Sequence, residues 1–288
     1  MVNIPSYFTL ALALGVFLAL FLLSLVTVTI GYVWYHNRRD LRVAATRPDI
    51  KETLLTKLRL ENPEWDDWIA TLSDFEIEVA RDILDTYLRT LAGSDKSNLQ
   101  KIGQKLGIIE ESLQDIKHGN YYDKLIALSW LTLLDYQVDS DILWEHCRED
   151  PELRAGAARI LYESDISEVQ GEGTRLLLGE EDEPLTVFGQ DTLFELNRND
   201  PRFLFEYASS HYENWIDILL IQVLEVISHI NRVGEGAPVQ WLLEGLESDE
   251  ADVRAATAIA LSNYGWHDEI RNHVDIEALI NDPSANVR

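Results

Sequence analysis

From Tyr7 to Tyr35 the chain runs for 29 residues without a charged side chain, through LALALGVFLALFLLSLVTVTIGYVW. About 20 apolar residues suffice to cross the hydrocarbon core of a bilayer. A cleavable signal peptide needs a basic start, an apolar core of about 7–15 residues and a small-residue cleavage site. Here MVNIPS holds no Lys or Arg, and the apolar run is far longer. Residues 1–35 therefore read as a retained transmembrane anchor, with residues 7–35 in the lipid bilayer. Tyr32, Trp34 and Tyr35 fall where an interfacial aromatic belt belongs.

The flanks give the orientation. Arg38, Arg39, Arg42, Arg47 and Lys51 follow the span, and no basic side chain precedes it. Positive charge is retained on the cytoplasmic side, so the C-terminal part is expected to face the cytoplasm of a single-pass cell-membrane protein. Residues 36–51 read as a basic juxtamembrane stalk, with Trp34, Arg38, Arg39 and Arg42 as its membrane-flanking residues. Beyond them the charge reverses. Of 24 basic and 50 acidic residues, five basic and two acidic lie in residues 1–51, so the rest holds 19 against 48, close to −29. Nucleic-acid binding needs a basic footprint, which this surface lacks. Carboxylates in such number keep a protein hydrated in a salt-rich cytoplasm, and the composition resembles that of proteins from halophilic archaea.

After residue 51 the pattern is helical throughout, with Gly and Pro falling between apolar-periodic segments and no alternating β-branched run. In DFEIEVARDILDTYLRTLAG the apolar residues from Phe75 to Leu91 share one broad face, with Asp74 as the expected cap and Gly93 as the stop. The segment NWIDILLIQVLEVISHI (214–230) is nearly apolar enough for a second span. Its Asp217, Gln222 and Glu225 favour a central core helix instead.

Two stretches repeat. EDPELRAGAARIL (149–161) and SDEADVRAATAIAL (248–261) share an acidic start, an aliphatic-Arg pair and then small residues mixed with aliphatics, and NDPSANVR (281–288) has the same opening. NYYDKLIALSWLTLL (120–134) fits more loosely, with Lys124 in place of Arg and Leu125, Ala127, Leu128, Leu131 and Leu134 inward. The shared pattern aliphatic-R-A-x-x-A-x-x-L, carried by Leu153, Arg154, Ala155, Ala158 and Leu161 and again by Val253, Arg254, Ala255, Ala258 and Leu261, resembles the second-helix signature of HEAT repeats. The resemblance covers residues 120–288; residues 52–119 are helical without the signature. It implies an all-α fold in which the transmembrane helix is followed by a right-handed α-solenoid of HEAT-like helix pairs. It also implies structural roles for Asp150 with Arg154, Asp249 with Arg254, and Asp282 with Arg288, and places Val253 and Val287 in the layer between repeats. NDPSANVR then reads as the start of another repeat's second helix, in an array cut short.

Chemistry-bearing motifs are scarce. No P-loop, G-x-G-x-x-G, G-x-S-x-G or His-Glu dipeptide occurs, and the seven histidines are scattered. Cys147 stands alone and reads as a buried thiol. The acidic stretch GEEDEP (179–184) lacks the alternating ligands of a calcium loop. No cofactor, metal site or catalytic residue is expected. The expectation is a membrane-anchored scaffold or adaptor that binds a protein partner, such as a membrane enzyme complex. The alternatives are a HEAT-like lyase-type enzyme or a signalling component. Alkaline carbonate washing should leave the chain in the membrane pellet, and deletion of residues 1–35 should move it to the supernatant; a full-length chain released by the wash overturns the anchor.

Overall fold

A computed structural model describes residues 4–60, 63–162, 167–179, 182–230, 238–264 and 268–288. Among these residues it holds sixteen α-helices, one 3₁₀ turn and no strand, as the all-α expectation requires. The chain divides into two compact units, Met1–Leu99 and Gln100–Arg288.

The first unit is built on α1 (Ile4–Leu58), 55 residues that form one helix through Pro48. At 1.5 Å per residue it is about 80 Å long. The stretch 36–51, expected as a stalk, is part of this helix. Two regimes follow one another along it. From Ala11 to Tyr35 every side chain is exposed, all round the helix. Among the described residues one helix is long and apolar enough to cross a membrane, and it is this one. The hydroxyls of Thr27 and Thr29 donate to the carbonyls of Leu23 and Leu25 at 2.8 Å, so these polar groups make no demand on the surroundings. Further on, Ile50, Leu54 and Leu58 form a buried seam at four-residue spacing.

That seam packs on α3 (Asp74–Leu88), whose Val79, Ala80, Ile83, Leu84 and Leu88 are buried. Between them lies α2 (Trp65–Ile69), with Trp65 and Trp68 buried edge to face at 5.8 Å. The cap of α3 is Ser73 rather than Asp74. Ser73 Oγ accepts from Glu76 N while the Glu76 carboxylate takes the Ser73 N–H, a reciprocal box that Asp74, one residue inside the helix, cannot form. The helix stops before Gly93, which adopts φ +70°. Helix α4 (Ser94–Lys105) crosses from the first unit into the second.

The second unit holds α5 (Ile108–His118), α6 (Tyr121–Leu133), α7 (Ser140–Cys147), α8 (Pro151–Tyr162), α9 (Ser167–Leu178), α10 (Val187–Asn197) and α11 (Arg202–His211). After the 3₁₀ turn Tyr212–Asn214 come α12 (Asp217–His229), α13 (Gln240–Gly245), α14 (Ala251–Ser262), α15 (Asp268–His273) and α16 (Ile276–Ile280). Contacts between them follow a rule. Helix α6 packs on α8, α8 on α10, α10 on α12 and α12 on α14; α5 packs on α7, α7 on α9, α9 on α11, α11 on α13 and α13 on α15. Successive helices such as α5 and α6, α8 and α9, and α13 and α14 tie the even row to the odd row.

Small residues make the approaches possible. Ala155, Ala157 and Ala158 of α8 are fully buried, and a Cβ at Gly156 would meet Leu128 of α6 at 3.1 Å. A Cβ at Gly245 would come within 2.7 Å of Thr257 Oγ1, so α13 can lie this close to α14 only with glycine there. Helix α12 is a core helix, with Leu219, Val223, Leu224, Val226 and Ile227 buried, as its internal polar residues suggested. Phe205 joins α11 to α13 and α14 through edge-to-face contacts with Trp241 and Tyr264, at 6.2 and 5.9 Å. Helix starts are capped by the side chains of Asn120, Asp139 and Thr186.

The expected helix in NDPSANVR is absent. Residues 281–288 form turns, with one four-residue backbone bond, Arg288 N to Ser284 O at 3.4 Å. A first helical turn fixes several backbone dihedrals for one hydrogen bond, so a single turn gains little by itself. Trp215 is buried between the 3₁₀ turn and α12, and Trp266 lies outside the described residues.

In the first unit, magnitudes separate apolar from ionic contributions. Leu54→Ala removes a fully buried side chain and should cost about 2–5 kcal/mol. Asp82→Asn breaks an exposed pair with Arg47 and should change stability by less than about 1 kcal/mol. Urea unfolding of the detergent-solubilised chain, followed by tryptophan fluorescence, tests the order.

Candidate interaction surface

The three arginines of the repeated motif hold the same posture. Nη1 of Arg154 donates to Arg148 O at 2.8 Å, Nη1 of Arg254 to Ser248 O at 2.8 Å, and Nη1 of Arg288 to Asp282 O at 2.6 Å, in each case the carbonyl six residues back. The first two also reach forward. Arg154 Nη2 donates to Glu183 at 2.7 Å, 29 positions on, and Arg254 Nε and Nη2 hold both oxygens of Asp282, 28 positions on, at 2.8 and 3.1 Å. These contacts supply what a buried guanidinium demands, since the Arg154 side chain is only 4% exposed. The shared fork holds Asp282 below the usual carboxylate range and raises Arg254, each chiefly through their mutual hydrogen bonds.

The pairing within each motif that the HEAT resemblance implies gives way to this forward pairing. Asp150 Oδ1 is taken by the N–H groups of Glu152 and Leu153, at 3.0 and 3.1 Å, as a helix cap. Asp249 offers Arg254 its backbone carbonyl at 3.0 Å. Asp282 serves Arg254 through its carboxylate and Arg288 through its carbonyl. An Asp beside a helix start meets unpaired N–H groups before it meets an Arg one turn on, and the longer Arg side chain is free to reach the next segment. Leu153, Val253 and Val287 are buried.

Other polar side chains span a similar distance in the opposite direction, back along the chain. Gln222 of α12 grips the Leu185 backbone at both N and O, at 2.7 and 2.9 Å. The Tyr264 hydroxyl, after α14, serves two carbonyls at the end of α12, Ile227 and Ile230, each at 2.9 Å. Burial pushes that phenol above its ordinary range, so it stays a donor. The separations, 37, 37 and 34 positions, match the length of one helix pair.

The membrane-flanking residues are engaged within the first unit. Arg38 stacks over Trp34 at 5.1 Å and Arg42 over Phe75 at 4.7 Å. Arg39 pairs with Glu78, and Arg47 with Asp82 at 2.6 Å. Helix α3 thus gathers part of the basic stretch that a membrane surface would otherwise attract.

What remains exposed and apolar in the second unit is selective. Among the described residues its exposed large apolar side chains are Tyr121, Tyr122 and Ile126 on α6, Val187 on α10, Ile218 on α12, Ile259 on α14, and Ile276 and Ile280 on α16. All belong to even-numbered helices. Between α10 and α12 they border a groove of about 310 Å³ lined by Val187, Gln190, Asp191, Phe194, Glu225, Val226 and His229. Arg159 of α8 reaches Asp191 at 3.4 Å and lies over Phe188.

Sequence reasoning missed Glu183 as an Arg partner and missed this face altogether. The recurrence of an acid 28–29 positions after each motif Arg was the available signal for the first. No local signal marks the second, because a lone surface aliphatic is ordinary. Of the acidic stretch 179–184, Glu180 and Glu181 lie outside the described residues, as does His267. No family model, curated protein or solved structure matches the chain.

Cys147, 1% exposed, is packed away from this face's exposed side chains, and burial pushes its thiol up to about 11. The native thiol should resist iodoacetamide at pH 8 and react on addition of urea. A raised value means the folded state holds the proton: this contribution is intact below the ordinary thiol range near about 8.5 and is lost as pH climbs toward about 11. Rapid native labelling at pH 8 would contradict the burial.

Proposed function

We propose that the chain is a membrane-anchored HEAT-like scaffold that holds a protein partner at the cytoplasmic face. Its even-row helices form the binding side of a right-handed α-solenoid. The observation that carries the proposal is that, among the described residues of the second unit, the exposed large apolar side chains lie on even-numbered helices, from Tyr122 and Ile126 to Ile218 and Ile259. Patches of this kind on an otherwise acidic surface mark interaction sites.

Three further features support it. Alternate helices pack along both rows, and adjoining even helices meet over longer stretches than adjoining odd ones, as the inner row of a curved stack does. Arg154 and Arg254 each reach an acid 28–29 positions on, and all three motif arginines share one posture. Basic residues flank only the C-terminal side of the apolar span, which favours a cytoplasmic location for the rest.

Photo-crosslinking in native membranes tests the reading. A crosslinker at Ile126, Ile218 or Ile259 should capture one and the same protein, and a crosslinker at exposed Arg202 of the odd row should not. Capture of lipid and self only, or equal capture from both rows, overturns it.

A further inference from the structure

The groove between α10 and α12 has a chemistry of its own, and the inference drawn from it rests on the even row being the binding face. Val187, Phe194 and Val226 give it apolar walls, and its polar groups are Gln190, Asp191, Glu225 and His229. Asp191 shares a long 3.4 Å contact with Arg159 and is largely exposed. The Glu225 carboxylate has no side-chain or backbone partner among the described residues, while its main-chain carbonyl meets two side chains of its own helix. That carbonyl accepts from Ser228 Oγ at 2.6 Å and lies 2.7 Å from His229 Nδ1.

A carbonyl oxygen can only accept, so His229 Nδ1 carries the proton of this bond. In the neutral imidazole Nε2 is then left with its lone pair. The groove thus carries two carboxylates and, in the neutral form of His229, an imidazole nitrogen that accepts. The nearest cation, Arg159, stands beside Asp191 and is itself half-buried over Phe188. An apolar slot rimmed by acceptors suits a side chain with an apolar stem and a cationic head. Arginine fits best, because its stem can lie on the Phe194 ring while its planar head serves two acceptors at once.

We propose that this groove receives an arginine side chain from the protein partner, with Glu225 as its principal counter-charge and His229 Nε2 and Asp191 as further acceptors. An apolar neighbour of that arginine lies against Val187, which is 85% exposed. The partner segment is thus basic and amphipathic, opposite in charge to a chain of formal net charge −26.

The probe is a fluorescein-labelled peptide with leucine and arginine at helical three- and four-residue spacing. It is titrated onto the full-length protein in detergent micelles at about 0.15 M salt, where the Debye length of about 8 Å suppresses diffuse attraction. Glu225→Gln should weaken binding by about five- to tenfold, in line with loss of one charge-assisted pair at a solvent-accessible site. Glu206→Gln, the same change on an exposed residue of α11, should leave binding within about twofold. A peptide carrying citrulline for arginine keeps the shape without the charge, and should bind the native protein as weakly as the arginine peptide binds Glu225→Gln. Equal loss from Glu225→Gln and Glu206→Gln, or full binding of the citrulline peptide, overturns the assignment. A free cationic metabolite as the true ligand would show as displacement by arginine amide alone, and would also overturn it. Capture of a protein from Ile126 or Ile259 without peptide binding removes the groove and leaves the scaffold standing; absence of any captured protein removes the scaffold.

Discussion

Close approach of helix backbones through small residues is the constraint on which the second unit depends. Helix α8 touches α6, α7, α9 and α10, and can do so because Ala155, Ala157 and Ala158 are buried on it and Gly156 faces Leu128. An isolated helix of 12 residues is marginal in water, and its apolar face has to be buried by neighbours. When those neighbours are two positions away in the chain on both sides, every helix pair becomes the cover of the next. The polar clamps follow from that geometry. A guanidinium enclosed at such a junction requires full hydrogen bonding, and the acid that completes it comes from the next pair. Arg154 with Glu183 and Arg254 with Asp282 are two settings of one device.

Helix α1 joins two regimes on one continuous backbone. From Ala11 to Tyr35 its side chains are exposed on all sides and nearly all apolar, over a length sufficient to cross a membrane. From Ile50 onward it behaves as an ordinary amphipathic helix with a single buried seam against α3. Between these regimes Arg39, Arg42 and Arg47 use α3 as their counterpart. The leucine seam holds that packing, since ion pairs about half exposed on each side add little. The pairs instead set which face of α3 meets the basic turns.

The surface combines acidity with a few well-placed apolar groups. Carboxylates spread over the second unit favour solubility and repel like-charged partners, while Tyr122, Ile126, Val187, Ile218 and Ile259 keep contact points on one row of helices. On the proposed reading, such a face would select a partner by charge at a distance and by shape at contact. The α10–α12 groove joins the two kinds of recognition, with carboxylates at the rim of an apolar slot.

Much of this was legible in the residues. The uncharged run of 29 residues specified a long apolar helix, because no other local pattern satisfies so many backbone groups without polar help. Apolar periodicity between Gly and Pro specified helices, because the signal acts within a few residues of the chain, while the cap expected at Asp74 moved one residue to Ser73. The repeated Arg-Ala motif marked α8 and α14 as equivalent. Tertiary structure alone decided that Asp282 and Glu183, not Asp249 or Asp150, complete the arginines, and that the isolated Val187, Ile218 and Ile259 share one row. Those choices depend on which helices stand side by side after folding, and a contact 28 or 37 positions away leaves no trace in local periodicity.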